Sequence, residues 1–157
     1  MPQRSKRSVI GRAAVTAAAV TVGVLASQGV AAADFSAVVM NCSGVSPNVV
    51  DVPYSAQVYV GQYGGDPGWT GITVHTGASI WGGYTSRPTL TWTNLATGVT
   101  GTATGQYPVS SFFGTGGQAN FNARDIGGGP VRFDLTAVNT GLFPVPPVTC
   151  SAVIDIP

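Results

Sequence analysis

Apolar and polar residues alternate with a period of two along much of this chain. In Val131-Arg132-Phe133-Asp134-Leu135-Thr136-Ala137, the apolar residues fall on one side and Arg, Asp and Thr on the other. Thr89-Leu90-Thr91-Trp92-Thr93 turns Leu90 and Trp92 inward in the same way, and residues 99–104 and 118–124 repeat the pattern. Successive side chains of a strand point to opposite faces, so this period predicts half-buried antiparallel strands. Weaker signals place further strands over residues 35–42, 56–63, 72–76 and 149–156. Turn residues divide them: Asp66-Pro67-Gly68, Ala96-Thr97-Gly98 and Asp125-Ile126-Gly127-Gly128-Gly129-Pro130. No window carries the i, i+3, i+4, i+7 spacing of an amphipathic helix.

Residue choice points the same way. After residue 33 there are 16 Val but only four Leu, with 15 Thr and 14 aromatics, while helix-favouring Glu and Lys are absent. Roughly seven to nine short strands at this spacing predict an all-β fold, an antiparallel β-sandwich that is immunoglobulin-like in the broad architectural sense. An open barrel or a jelly roll is the alternative. Residues 34–157 form one expected domain with no linker inside it. The Pro-rich piece Leu142-Phe143-Pro144-Val145-Pro146-Pro147 is too short for one and reads as an extended crossing or a protected sheet edge.

The first 33 residues follow a different pattern. A basic stretch ending at Arg12 leads into an uncharged Ala- and Val-rich run over residues 13–24, then Ala31-Ala32-Ala33 before Asp34. That order matches a secretory signal with its cleavage site. The run is short and Ala-rich, which argues against a retained anchor. Cys42 follows Val39-Met40-Asn41, which does not fit a lipoprotein site, and the C-terminal residues carry no apolar tail. The expected location is secreted or cell-envelope-associated, with no membrane span after signal removal; the Ala/Gly/Val/Thr bias suits a bacterial chain.

Export changes the charge and gives the cysteines a meaning. Four of the seven basic residues lie in the signal, so residues 34–157 hold three Arg against six Asp, a net charge of −3. Without a basic stripe, no nucleic-acid partner is expected. Cys42 and Cys150, an even count in an exported chain, are expected to form one disulfide between the first and last strands. An immunoglobulin domain instead joins two internal strands.

Candidate chemistry is sparse. Two Cys and the single His75 cannot supply a four-ligand zinc site, no calcium-loop or phosphate-loop spacing occurs, and nothing calls for a metal or cofactor. Gly77-Ala78-Ser79-Ile80-Trp81 approaches a nucleophile elbow with His75 nearby, but Trp replaces the closing Gly and no helix follows. The Asp residues adjoin turns or, like Asp134 beside Arg132, sit on a solvent face, and no carboxylate pair is marked out for glycoside hydrolysis. No catalytic residue is assigned, and the chain reads as a non-enzyme.

One segment stands out. Residues 61–84 hold eight Gly together with Tyr63, Trp69, His75, Trp81 and Tyr84. Exposed aromatics on a sandwich stack on sugar rings, so these five residues are the candidate ligand-binding set, the alternative being that the two Trp plug the core. Phe112-Phe113 is a smaller candidate partner contact. The leading expectation is a structural or interaction role, with cell-wall polysaccharide or an envelope protein as partner. A carbohydrate-binding module on residues 61–84 comes second and a small Ser79/His75 hydrolase third. Thr-rich strands with little charge also raise edge-to-edge self-assembly.

Overall fold

The alternating segments pair into two antiparallel sheets in the computed structural model, which describes residues 35–48, 50–62, 69–111, 114 and 116–157. The expected export signal, Tyr63, Asp66 and the Phe112-Phe113 pair lie outside the described residues. In chain order the strands are β1 (Phe35–Gly44), β2 (Tyr54–Gln62), β3 (Trp69–Thr76), β4 (Tyr84–Asn94), β5 (Thr100–Thr104), β6 (Tyr107–Val109), β7 (Gly117–Arg124), β8 (Gly129–Thr140) and β9 (Val148–Ile156). One sheet runs β1-β2-β3-β7 and the other β5-β4-β8-β9, with β6 also paired to β4. The fold is a β-sandwich of nine strands, with no helix among the described residues.

Its connectivity is its own. An immunoglobulin constant domain places its first, second, fifth and fourth strands in one sheet, whereas here β1, β2 and β3 form a consecutive meander joined by β7. The β3–β4 and β7–β8 connections both cross between sheets, and they interlock: β3 neighbours β7 in one sheet while β4 neighbours β8 in the other. The Pro-rich piece does not cross between sheets. It is the loop from β8 to β9, bridged back at Thr140 and Pro144.

The inner faces meet in one core. Val58, Val60, Ile72 and Val74 from the first sheet pack with Leu90, Val131, Phe133 and Leu135 from the second, all essentially without exposure. Leu90 and Trp92 point inward, and Arg132 pairs with Asp134 at 2.8 Å on the solvent side. Cys42 on β1 and Cys150 on β9 form the disulfide, with Cα atoms 5.9 Å apart. It joins the facing edges of the two sheets.

Pro88 explains why β5 and β6 are two strands. Its carbonyl accepts from Gly105 N at 2.9 Å, so its nitrogen, which has no proton, faces the same neighbour. The ladder along β4 therefore fails opposite residues 105–106, between the Thr89–Thr104 pair and the Ser86–Tyr107 pair. The strand directions put the loops after β1, β3, β6 and β8 at one pole, called upper here, and those after β4 and β7 at the lower pole.

Candidate functional site

The strand phase decides where the five candidate residues go. On β3, Thr70, Ile72, Val74 and Thr76 are buried, so Trp69, Gly71, Thr73 and His75 line the outer stripe. Trp69 is half-buried and His75 exposed on that shared face. Trp81 belongs to the β3–β4 loop at the upper pole and is 64% exposed. Tyr84 points inward, 7% exposed, and packs in the core. Neither Trp is fully buried, but Trp69 opens β3 at its lower end and Trp81 follows its upper end, so the structure does not bring the two together.

Around Trp69 and His75 the outer face of the first sheet forms a polar carpet that residue type alone does not single out. Register aligns Asn41, Gln57, His75 and Gln118 in one row, and Tyr59, Thr73 and Asn120 in the next. Gly61 and Gly71 pair in the row below, beside Asn122. Hydrogen bonds give this face a direction. Tyr59 Oη donates to Gln57 Oε1 at 2.6 Å, so the Gln57 amide donates onward to Asn41 Oδ1 at 2.9 Å. Thr73 Oγ1 donates to Asn120 Oδ1 at 2.9 Å. A depression of about 230 Å³ lies at the upper end of this face, lined by Asn41, Ser55, Gln57, His75 and Gly77. Arg124, at the lower end of β7, is the only Asp, Glu, Lys or Arg in these four strands.

A second cluster sits at the upper pole. Asp51 Oδ1 accepts from Ile80 N at 2.7 Å and Val52 N at 2.8 Å, while Asp51 Oδ2 accepts from the hydroxyls of Ser79 and Ser46. Asn48 Nδ2 donates to Ser79 Oγ and to the Gly82 carbonyl. Burial pushes the Asp51 carboxyl up, but the Ser79 hydroxyl, the Ile80 and Val52 amides and Ser46 together outweigh it and hold the pKa below the ordinary value of 3.8. This knot fixes the β1–β2 loop to the β3–β4 loop, and Phe143 N donating to Pro47 O at 2.9 Å brings in the β8–β9 loop.

The knot also answers the elbow motif. Ser79 is 2% exposed and its hydroxyl engages Asp51 and Gly82, whereas His75 stands on the outer face of β3 between Gln57 and Gln118. No hydrogen bond joins the two side chains. Above the knot the same three loops carry exposed apolar side chains: Val45, Val50, Val52, Ile80, Trp81, Leu142 and Phe143. Val50 is 82% exposed and holds φ at 58°, a left-handed conformation that a β-branched residue rarely adopts. Among the described residues no group of three or more His, Cys, Asp or Glu is placed to hold a metal ion, and no helix is long and apolar enough to cross a membrane.

No protein-family model, curated protein or solved structure matches this chain.

Proposed function

We propose that this chain is a non-enzymatic interaction module, secreted or held at the cell envelope, that binds uncharged polysaccharide on the outer face of its four-stranded sheet. The observation that carries this reading is a four-stranded face with Arg124 as its single charged residue and with Asn41, Gln57, Gln118, Asn120 and Asn122 presented together. A sheet face that only has to stay wet is ordinarily kept so by Lys and Glu. Carboxamides both donate and accept, which suits sugar hydroxyls, and they hold no charge that a neutral polymer would leave unpaired. Tyr59 and Trp69 add aromatic surface to the same face, where the apolar C–H side of a sugar ring can stack. The disulfide is compatible with an extracellular location.

The test is binding of oxidised protein to neutral and charged cell-wall polysaccharides, followed by titration of Gln57→Ala and Asn120→Ala. Each loses a hydrogen-bonding side chain, so each is expected to weaken binding about tenfold. Thr136→Ala and Ser151→Ala, on the opposite sheet, serve as controls and are expected to leave it unchanged. Equal affinities for all four variants, or binding to charged polymers alone, would refute the reading.

The exposed apolar residues of the upper pole favour a second reading, docking of an envelope protein there. Several exposed apolar side chains on loops tied to one another are the composition of a contact site, and the strained Val50 is among them. Crosslinking on intact cells that is abolished by Leu142→Asp, with glycan binding retained, would support this second reading over the first.

A further inference from the structure

The upper part of the core is polar, and its polarity is incompletely matched by the protein. Ser86 is fully buried on β4 and lies in register between Asn139 of β8 on one side and Tyr107 of β6 on the other. From the opposite sheet, Tyr54 brings its hydroxyl among those of Thr76, Ser86 and Tyr107. Thr76 and Tyr107 hydrogen-bond each other. Tyr54 Oη, Ser86 Oγ, and both Oδ1 and Nδ2 of Asn139 have no protein partner, although Tyr54 is 1% and Asn139 4% exposed. Tyr54 is close enough to its neighbours for them to alter its acidity, yet without the geometry of a hydrogen bond.

Four buried polar atoms in one small region demand a ligand. Stripped of water and unpaired, they would remove a large share of the marginal stability of a domain this size. The chemistry identifies the ligand. The groups are neutral hydroxyls and one carboxamide, which offer a cation no carboxylate and an anion no positive charge. Burial pushes the Tyr54 phenol up to about 12, so it stays a neutral donor. Every residue of the cluster is buried, so no solute larger than water has an open route to it. We propose that one or two ordered waters occupy this layer, accepting from Tyr54 Oη and Asn139 Nδ2 and donating to Ser86 Oγ and Asn139 Oδ1, as buried water typically makes about three such bonds. Water there links β2 of one sheet to β4 and β8 of the other. It fixes the strands from which the Asp51 knot is suspended. The inference is independent of the glycan reading, since no residue of the outer face takes part.

The experiment has two arms on the oxidised protein. A crystal structure at about 1.5 Å resolution, or water-to-protein magnetisation transfer in solution, is expected to show long-lived water within hydrogen-bond reach of Ser86 and Asn139. Urea unfolding of Asn139→Leu supplies the sign. If water is bound, the substitution removes both of that water's bonds to Asn139 and leaves it under-coordinated in an apolar surrounding, and the unfolding constant is expected to rise at least tenfold. If the layer is dry, replacing an unsatisfied amide by an apolar side chain of similar shape lowers the unfolding constant. Absence of long-lived water overturns the proposal whatever the variant does, and a stabilised Asn139→Leu overturns it as well. Should Asn139→Leu fail to fold, Ser86→Ala carries the same comparison of sign.

Discussion

Asn94 holds the lower pole, and removing it tests how. The residue ends β4 and is fully buried. Its Nδ2 donates to Ile126 O at 2.8 Å and Gly128 O at 3.1 Å, while its Oδ1 accepts from Ala96 N at 2.9 Å and Thr97 N at 3.0 Å. One side chain thus ties the β4–β5 turn to the β7–β8 loop and keeps Ile126, fully buried, over the end of the core. The bond to Ile126 is buried and the other three are half-buried. Taking about 1–3 kcal/mol for the orphaned Ile126 carbonyl and about 0.5–1 kcal/mol for each of the three remaining bonds, Asn94→Ala is expected to cost about 2.5–6 kcal/mol. Asn94→Asp keeps the two acceptor bonds but sets a second oxygen against two carbonyls. Burial and those carbonyls raise the pKa of the introduced carboxyl above its unfolded value near 3.9. Its penalty is absent below that value and grows as pH rises through the raised folded value. Urea unfolding followed by circular dichroism, between about pH 4 and 8, reads both variants. An Asn94→Ala stability within about 1 kcal/mol of the parent, or an Asn94→Asp stability that ignores pH, would refute this account.

Three further outcomes follow from the same reasoning. Cys42 and Cys150 are 108 residues apart in sequence, so Cys42→Ala with Cys150→Ala is expected to lose about 4–5 kcal/mol in urea unfolding, and a loss below about 1 kcal/mol would show that the disulfide does not act through the unfolded chain. A Cβ at Gly101 would run into the indole ring of Trp92; Gly101→Ala is therefore expected to lower stability by about 1–3 kcal/mol and red-shift tryptophan emission, whereas an unchanged melting point would mean the ring is not seated there. The Asp51 carboxyl titrates below 3.8 when folded, so its stabilisation is complete above that value and is lost as pH falls through the lower folded value; acid unfolding of Asp51→Asn should lack this component, and identical acid limbs would exclude it.

Strand phase was the legible part of the fold, and it reached further into the site than residue type did. Eight of the nine strands overlap segments where alternation or residue bias marked them. The ninth, β6, is three residues with Pro108 at its centre, and neither its length nor its composition rises above a loop. Strand order was not legible, because alternation tells which face a side chain takes but not which strand lies beside it. For the candidate site, aromatic content alone joined Tyr84 to Trp69 and Trp81. Yet Tyr84 is in phase with Ser86, Leu90 and Trp92, and extending that one alternation places it inside. The same logic turns Trp69 and His75 outward, opposite Ile72 and Val74. The polar side of β7 was not legible: Gln118, Asn120 and Asn122 share a face, but neutral amides look like any solvent-facing residues until β2 and β3 are laid beside them.

The distribution of charge between the sheets bears on the proposed recognition face. The second sheet carries Arg87, Arg132, Asp134 and Asp155 on its strands, whereas the first has Arg124 alone. A chain this poor in charge has placed nearly all of its strand charge on one sheet. If self-association through bare edges were the purpose, the edges would be long and regular. Two of the four edges are not: β1 is bulged between Val38 and Met40, and the edge opposite β9 is broken at residues 105–106, where Pro88 has no proton to donate, whereas β7 and β9 pair regularly. Both devices discourage strand addition at their own edges, and the bulge is confined to the β1–β2 pairing of the first sheet. Across β2, β3 and β7 the register is uninterrupted and the outer carboxamides stand side by side, the arrangement that the proposed neutral partner would need.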